Sequence, residues 1–311
     1  MAAFVAATTW VCLVARSTHA VARQGTGSAR AGAGHAMAGS GRSLSQRDHG
    51  PGPRPGLLPA HRIVAFYGNP LSPRMGVLGV RPVEAMLDSL EWQAQAYARA
   101  DTTHPVIAAL QLVATVAQPA AGSDRMYRLR TPDSIIRQLA GLAESRGMLL
   151  FLDAQIGHST VRDEVAHLLP YLEDESVHLA LDPEFAMGSG GGAPGSRIGS
   201  LDATDVNAAI DMLVELVDRL DLPPKVLVVH RFMAGMLTCP DQIRSDARVQ
   251  VVIDMDGFGN PALKRDSYRW CVPRDLPVFA GIKLFYQLDQ PLLTVREVLG
   301  LEPVPLFVLY Q

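Results

Sequence analysis

The sequence predicts an α/β protein folded as a single (β/α)8 barrel of the TIM type, and three observations predict it. From residue 62 onward, short apolar runs rich in β-branched and aromatic residues alternate with amphipathic segments, which implies parallel strands joined by right-handed crossovers. The runs number eight, in a stretch of about 250 residues, the count and size of such a barrel. The runs also start apolar and end polar, an asymmetry expected where strand ends build a mouth.

The predicted strands are Ile63–Tyr67, Val106–Val116, Met148–Leu152, Val177–Leu181, Val226–Val229, Val249–Ile253, Val278–Leu284 and Leu306–Tyr310. Between them the 3.6-residue pattern predicts helices over Pro82–Arg99, Pro132–Arg146, Val161–Leu172, Ala203–Leu220, Asp241–Ala247, Ala262–Trp270 and Thr294–Leu299. Thr131-Pro132-Asp133 supplies an N-cap residue followed by proline at the first helical position, and Asp202 and Asp205 are each placed to cap the long fourth helix. The eighth run ends one residue before the sequence does, so an eighth outer helix is not expected. A doubly wound open sheet is the competing architecture. Its glycine-rich phosphate turn does not occur after the first run, which continues Gly68-Asn69-Pro70-Leu71.

The barrel is expected over residues 61–311. Residues 1–22 read as a secretory signal, with an apolar stretch ending in Ala20-Val21-Ala22, which places the protein outside the cell or at its surface. Residues 23–60, rich in Gly, Ala, Ser, Arg and Pro, read as a disordered linker. No later stretch has the apolar length of a membrane span. The 311 residues carry a net charge of −3, but residues 1–60 hold six Arg and one Asp, leaving about −8 on the rest. An acidic body lacks the clustered basic face that nucleic acid requires. Cys12 falls within the signal, while Cys239 and Cys271 are compatible with a disulfide or with two free thiols.

Catalytic groups in such barrels lie at the C-terminal strand ends. Those ends read Tyr67-Gly68-Asn69, Asp153-Ala154-Gln155, Asp182-Pro183-Glu184, His230-Arg231, Asp254-Met255-Asp256, Lys283 with Tyr286, and Tyr310-Gln311. Asp182 and Glu184 are spaced i, i+2 and share one strand face. Two desolvated carboxyls held together raise one another's pKa, which suits Glu184 to act as a general acid with Asp182 orienting it. Asp254 and Asp256 repeat the spacing and complete the expected catalytic set. Tyr67, Asn69, Asp153, Gln155, His230, Arg231, Lys283, Tyr286 and Tyr310 are expected to bind substrate, the aromatics by stacking on sugar rings. The structural alternative for the acid pair is a helix cap or an ion pair with Arg231. Gly188–Gly195 lacks the ending of a phosphate loop and reads as a loop over the mouth. No G-x-S-x-G elbow occurs.

Asp182-Pro183-Glu184 on a fourth barrel strand resembles the D-x-E signature of glycoside hydrolase families 18 and 25, barrel enzymes that act on chitin or peptidoglycan. The resemblance implies that Glu184 is the proton donor and that Asp182 assists the substrate's acetamido group or the intermediate. The longer family-18 pattern is not kept, since Val177 and Ala180 stand where it has acids, and Tyr310 replaces its eighth-strand Trp. The first-strand acid of family 25 is also replaced, by Tyr67-Gly68-Asn69. The expectation is a secreted, cofactor-free glycosidase with a carbohydrate substrate from the cell wall or surroundings. Two other readings compete: a metal-dependent barrel hydrolase or isomerase using Asp153, Glu184, His230 and Asp254, and a barrel that binds glycan or a partner without catalysis.

Overall fold

A computed structural model describes residues 54–188 and 190–311. The signal read over residues 1–22, Cys12 and the linker up to residue 53 lie outside these residues. Eight parallel strands close into a barrel: β1 (Arg62–Gly68), β2 (Val106–Ala117), β3 (Leu149–Gly157), β4 (Val177–Ala186), β5 (Lys225–Arg231), β6 (Val249–Met255), β7 (Phe279–Leu284) and β8 (Phe307–Tyr310). Closure is visible in the register of β1, where Ile63 is opposite Ile107 on one side and Phe307 on the other. All eight predicted strands are present, and four of them run two to five residues farther toward the mouth than their apolar runs. Polar residues there satisfy the same ladder while projecting inward.

Strand alternation sorts the side chains. Ile63, Ala65 and Tyr67, Ala109 and Val113, Leu149 and Phe151, Ala180, Val226 and Val228, Val252, and Phe307 and Leu309 fill the interior. Their neighbours, such as Val64, Phe66, Leu110, Leu112, Leu227 and Val229, face the helices. Each fully buried aliphatic side chain contributes about 1.5–3 kcal/mol, so the parity of each strand is strongly specified. Leu58 is buried at the base of the interior, and its N–H donates to Gln250 Oε1 at 3.1 Å. The last residues of the segment read as linker therefore pack on the barrel.

Six helices fill the connections: α1 (Val83–Ala100), α2 (Asp133–Ser145), α3 (Val161–Leu172), α4 (Ala203–Leu220), α5 (Pro261–Cys271) and α6 (Val295–Leu299). The helix expected over Asp241–Ala247 is absent; only a 3-10 turn, Pro240–Gln242, forms there. Asp246 turns back to accept from the Arg248 N–H, which ends any helical run. Asp202 and Asp205 form the capping box of α4. Thr131 does not cap α2, because its hydroxyl donates to Val113 O and accepts from Asn69.

No helix follows β8 among the described residues, and α1 covers that seam. The Tyr310 hydroxyl meets Tyr97 Oη at 2.8 Å and accepts from Gln93 Nε2 at 2.9 Å, both on α1.

Gly281 on β7 faces inward beside β6, where a Cβ would lie 2.8 Å from Asp254 Oδ1 and 2.9 Å from Val252 Cγ1. Gly281→Ala should therefore destabilise the barrel by about 1–3 kcal/mol through overpacking. Chemical denaturation checks this, and an unchanged midpoint would show that Asp254 yields without strain.

Candidate active site

The inward parity that fills the core also delivers polar groups to the mouth. Above Ala109 on β2 stands Gln111; above Phe151 on β3 stand Asp153 and Gln155; above Ala180 on β4 stand Asp182 and Glu184. His230 tops β5, Asp254 and Asp256 top β6, and Lys283 tops β7. All except Glu184 are buried, and Glu184 is half-buried.

His230 is the centre of the cluster. Its Nδ1 donates to Asp254 Oδ2 at 2.9 Å, and Asp256 Oδ2 lies 3.7 Å from the same nitrogen. Nε2 lies 3.1 Å from Asp153 Oδ2 and 2.8 Å from the Gln111 amide nitrogen, which itself donates to Asp153 Oδ2 at 2.8 Å. Nε2 is thus the titrating position: neutral, it accepts from Gln111; protonated, it donates to Asp153. Burial alone would lower the pKa of this imidazole, but the surrounding carboxylates outweigh it and hold it well above its ordinary range. The Tyr67 ring stands edge-on to His230, with ring centroids 6.2 Å apart.

The acid pair sits opposite. Asp182 accepts from Gln155 Nε2 at 3.3 Å and from the Glu184 backbone N–H at 3.1 Å. Burial, then the charges of Asp153 and Asp256, push its pKa up to about 7 against the pull of His230 and Lys283. Burial and the neighbouring Asp182 push Glu184 up to about 8. Asp256 is also raised, mainly by burial. The Glu184 carboxyl has no hydrogen-bond partner among the described residues, so near neutrality it is a half-exposed carboxylic acid with its proton free to give.

Four expected binding residues lie elsewhere, and alternation explains two of them. Arg231 follows the inward His230 and so points outward, where its guanidinium donates to Cys271 O and Ala234 O. It pairs with neither Asp182 nor Glu184. Tyr310 follows the inward Leu309 and binds α1. Tyr286 stacks on Tyr310 at 5.2 Å outside the strand ring. Asn69 is buried past the end of β1, donating to Val113 O and Thr131 Oγ1 and accepting from the Leu71 N–H; it shapes the loop. The residues that do come together are Tyr67, Asp153, Gln155, Asp182, Glu184, His230, Asp254, Asp256 and Lys283.

Gln111 was not among the expected residues. Its signal is an amide inside the apolar run of β2, on the same parity as Ala109 and Val113. Lys264 and Asp289 were also missed. They form a buried pair at 3.1 Å, in which Lys264 donates to Gly257 O and Lys283 O while Asp289 accepts from Gly259 and Phe285 N–H groups. This clamp ties the loop after β6 to the end of β7.

Both His230 nitrogens are engaged by carboxylates, and among the described residues no His, Cys, Asp and Glu side chains converge as a metal cage. In the stretch expected over the mouth, the Gly192 carbonyl is 3.0 Å from His158 Nε2. Cys239 and Cys271 are free thiols, one exposed and one buried, and no described helix is long and apolar enough to cross a membrane. No protein-family model matches the chain, and no curated protein is detectably similar to it. The fold and the geometry therefore define the class, a TIM-type barrel with an acid-rich mouth.

The mouth carboxyls bind protons more tightly in the folded chain than in the unfolded one. The folded state thus holds more protons between the ordinary carboxylate range and pH 7–8, and their contribution to stability falls as pH rises across that window. Asp182→Asn should raise the thermal midpoint at pH 8.5 by a few degrees, at about 2–4 °C per kcal/mol, and give no such gain at pH 4. Calorimetry at both pH values checks this; an equal shift at both would show that Asp182 is ionised in the fold.

Proposed function

We propose that the protein is a glycoside hydrolase acting on an extracellular or cell-wall polysaccharide, with Glu184 as the general acid. The observation that supports this reading best is the pair of adjacent carboxyls at the end of β4, kept protonated toward neutrality in a mouth that also holds Asp153, Asp254 and Asp256. Breaking a glycosidic bond requires a proton on the leaving oxygen and negative charge near the developing oxocarbenium ion. Glu184, half-exposed and without a protein partner, supplies the first. Asp182, fixed by Gln155 and the Glu184 N–H, is the neighbouring group suited to steady the intermediate or the substrate's acetamido group. The Asp153–His230–Asp254 array beneath is placed to supply the second, with two carboxyl groups against one imidazole. Asp256 has no side-chain hydrogen bond and is the remaining carboxyl available as base. The export signal read over residues 1–22 is the reason for placing the substrate outside the cell.

Purified full-length protein should release reducing ends from at least one member of a panel of polysaccharides and peptidoglycan. Glu184→Gln should fold as the wild type does and lose about 10²–10⁴-fold in turnover. Wild-type kcat should fall as pH rises through about 8, where Glu184 gives up its proton. A Glu184→Gln enzyme with wild-type turnover would overturn the assignment. Glycan retained without product from either form would turn the reading to a binding barrel.

A further inference from the structure

We propose that Lys283 anchors a carboxylate of the substrate, so that the sugar seated in the mouth is an acidic one; this deepens, and rests on, the glycosidase reading. The chain has three lysines, Lys225, Lys264 and Lys283, and all three are buried. An ammonium carries three donors, and a buried charge is costly unless it is paired and hydrogen-bonded. Two of the three meet that demand within the protein. Lys225 Nζ donates to the carbonyls of Asp174 and Val177. Lys264 Nζ donates to two carbonyls and pairs with Asp289. Lys283 is only 5 % exposed, and its Nζ forms neither a hydrogen bond nor an ion pair among the described residues.

Its surroundings explain both why it stays there and what it lacks. Nζ lies 3.6 Å from the centroid of the Tyr67 ring and 5.2 Å from that of Phe285, so aromatic faces cover two sides. A ring face attracts a cation but accepts no full hydrogen bond. None of the five mouth acids takes the role of partner. Asp153 and Asp254 are bonded to His230, Asp182 is bonded to Gln155 and the Glu184 N–H, and neither Glu184 nor Asp256 comes within 4.0 Å of Nζ.

The ligand that completes this site is a monoanionic oxygen acid. A neutral hydroxyl would take a hydrogen bond and still leave the ammonium with no carboxylate within 4.0 Å. A phosphate would bring a second negative charge against Asp153, Asp254 and Asp256. A carboxylate matches one charge with one charge and accepts the free donors. On a sugar it comes either as a uronic acid or as a lactyl ether, and both present the same group.

The test is calorimetric binding to the full chain at pH 7 with two matched pairs: D-glucuronate against D-glucose, and N-acetylmuramate against N-acetylglucosamine. At least one acid should bind about 10- to 100-fold tighter than its neutral counterpart, the range of a charge-assisted hydrogen bond; the pair that shows the preference identifies the source. Lys283→Met should reduce the preference to within about twofold, and Lys283→Arg, which keeps the charge, should retain most of it. Equal binding of acid and neutral sugars by the wild type overturns the proposal. So does a preference that survives in Lys283→Met. Should Lys283→Met fail to fold, the wild-type pairs together with Lys283→Arg decide. The readout is binding, so its failure leaves the role of Glu184 standing, and full turnover by Glu184→Gln would leave the anchor standing.

Discussion

Five carboxyls share one largely buried mouth with His230 and Lys283, and that imbalance of acidic over basic groups sets the electrostatics above the core. Asp153 and Asp254 are committed to the two nitrogens of His230. Of the remaining acids, Asp182 and Glu184 have pKa values pushed up to about 7 and about 8, and that of Asp256 is raised as well. Burial disfavours their charged forms, and each negative neighbour disfavours them further. Protons therefore remain on the pair at the end of β4 in the range where a general acid must hold one.

The barrel makes this imbalance tolerable by spending its core on fixing parity. Leu58, Phe151, Val226, Val228 and Phe307 fill the lower interior, so none of the eight strands can slip by one residue without turning apolar groups outward. The same parity aims Gln111, Asp153, Asp182, His230, Asp254 and Lys283 into one space. Gly281 leaves room for the Asp254 carboxylate, and the Lys264–Asp289 clamp holds the backbone on which Asp256 and Lys283 depend. Some of the stability that the core supplies is given back in the mouth, where burial and like charge disfavour the ionised acids.

Much of this was legible in the sequence. The alternation of apolar runs and amphipathic segments located all eight strands, and the i, i+2 spacing placed Asp182 with Glu184 and Asp254 with Asp256. Choosing residues by nearness to a strand end was less discriminating than choosing by parity. His230 and Arg231 are adjacent on one strand and cannot both face inward; the same holds for Leu309 and Tyr310. Gln111 was hidden because β2 is long and bulged near Val113 and Thr115, so its inward amide lies well before the apolar run stops. The helix expected over Asp241–Ala247 failed for a local reason, the competition of the Asp246 carboxylate for backbone N–H groups. The covering of β8 by α1 could not be read locally, since it depends on Tyr97 and Gln93 meeting a tyrosine more than two hundred residues away.

The protonation state of the β4 pair is where the account stands or falls. Carbon-13 NMR of side-chain carboxyls in uniformly labelled protein, titrated from pH 4 to pH 9.5 and assigned with Asp182→Asn and Glu184→Gln, reads it directly. Two carboxyls titrating near 7 and 8 as a coupled pair, each curve changed when the other residue is replaced, is the predicted result. Two carboxyls fully ionised by pH 5 would contradict it, because Glu184 would then hold no proton near neutrality for the proposed role of general acid.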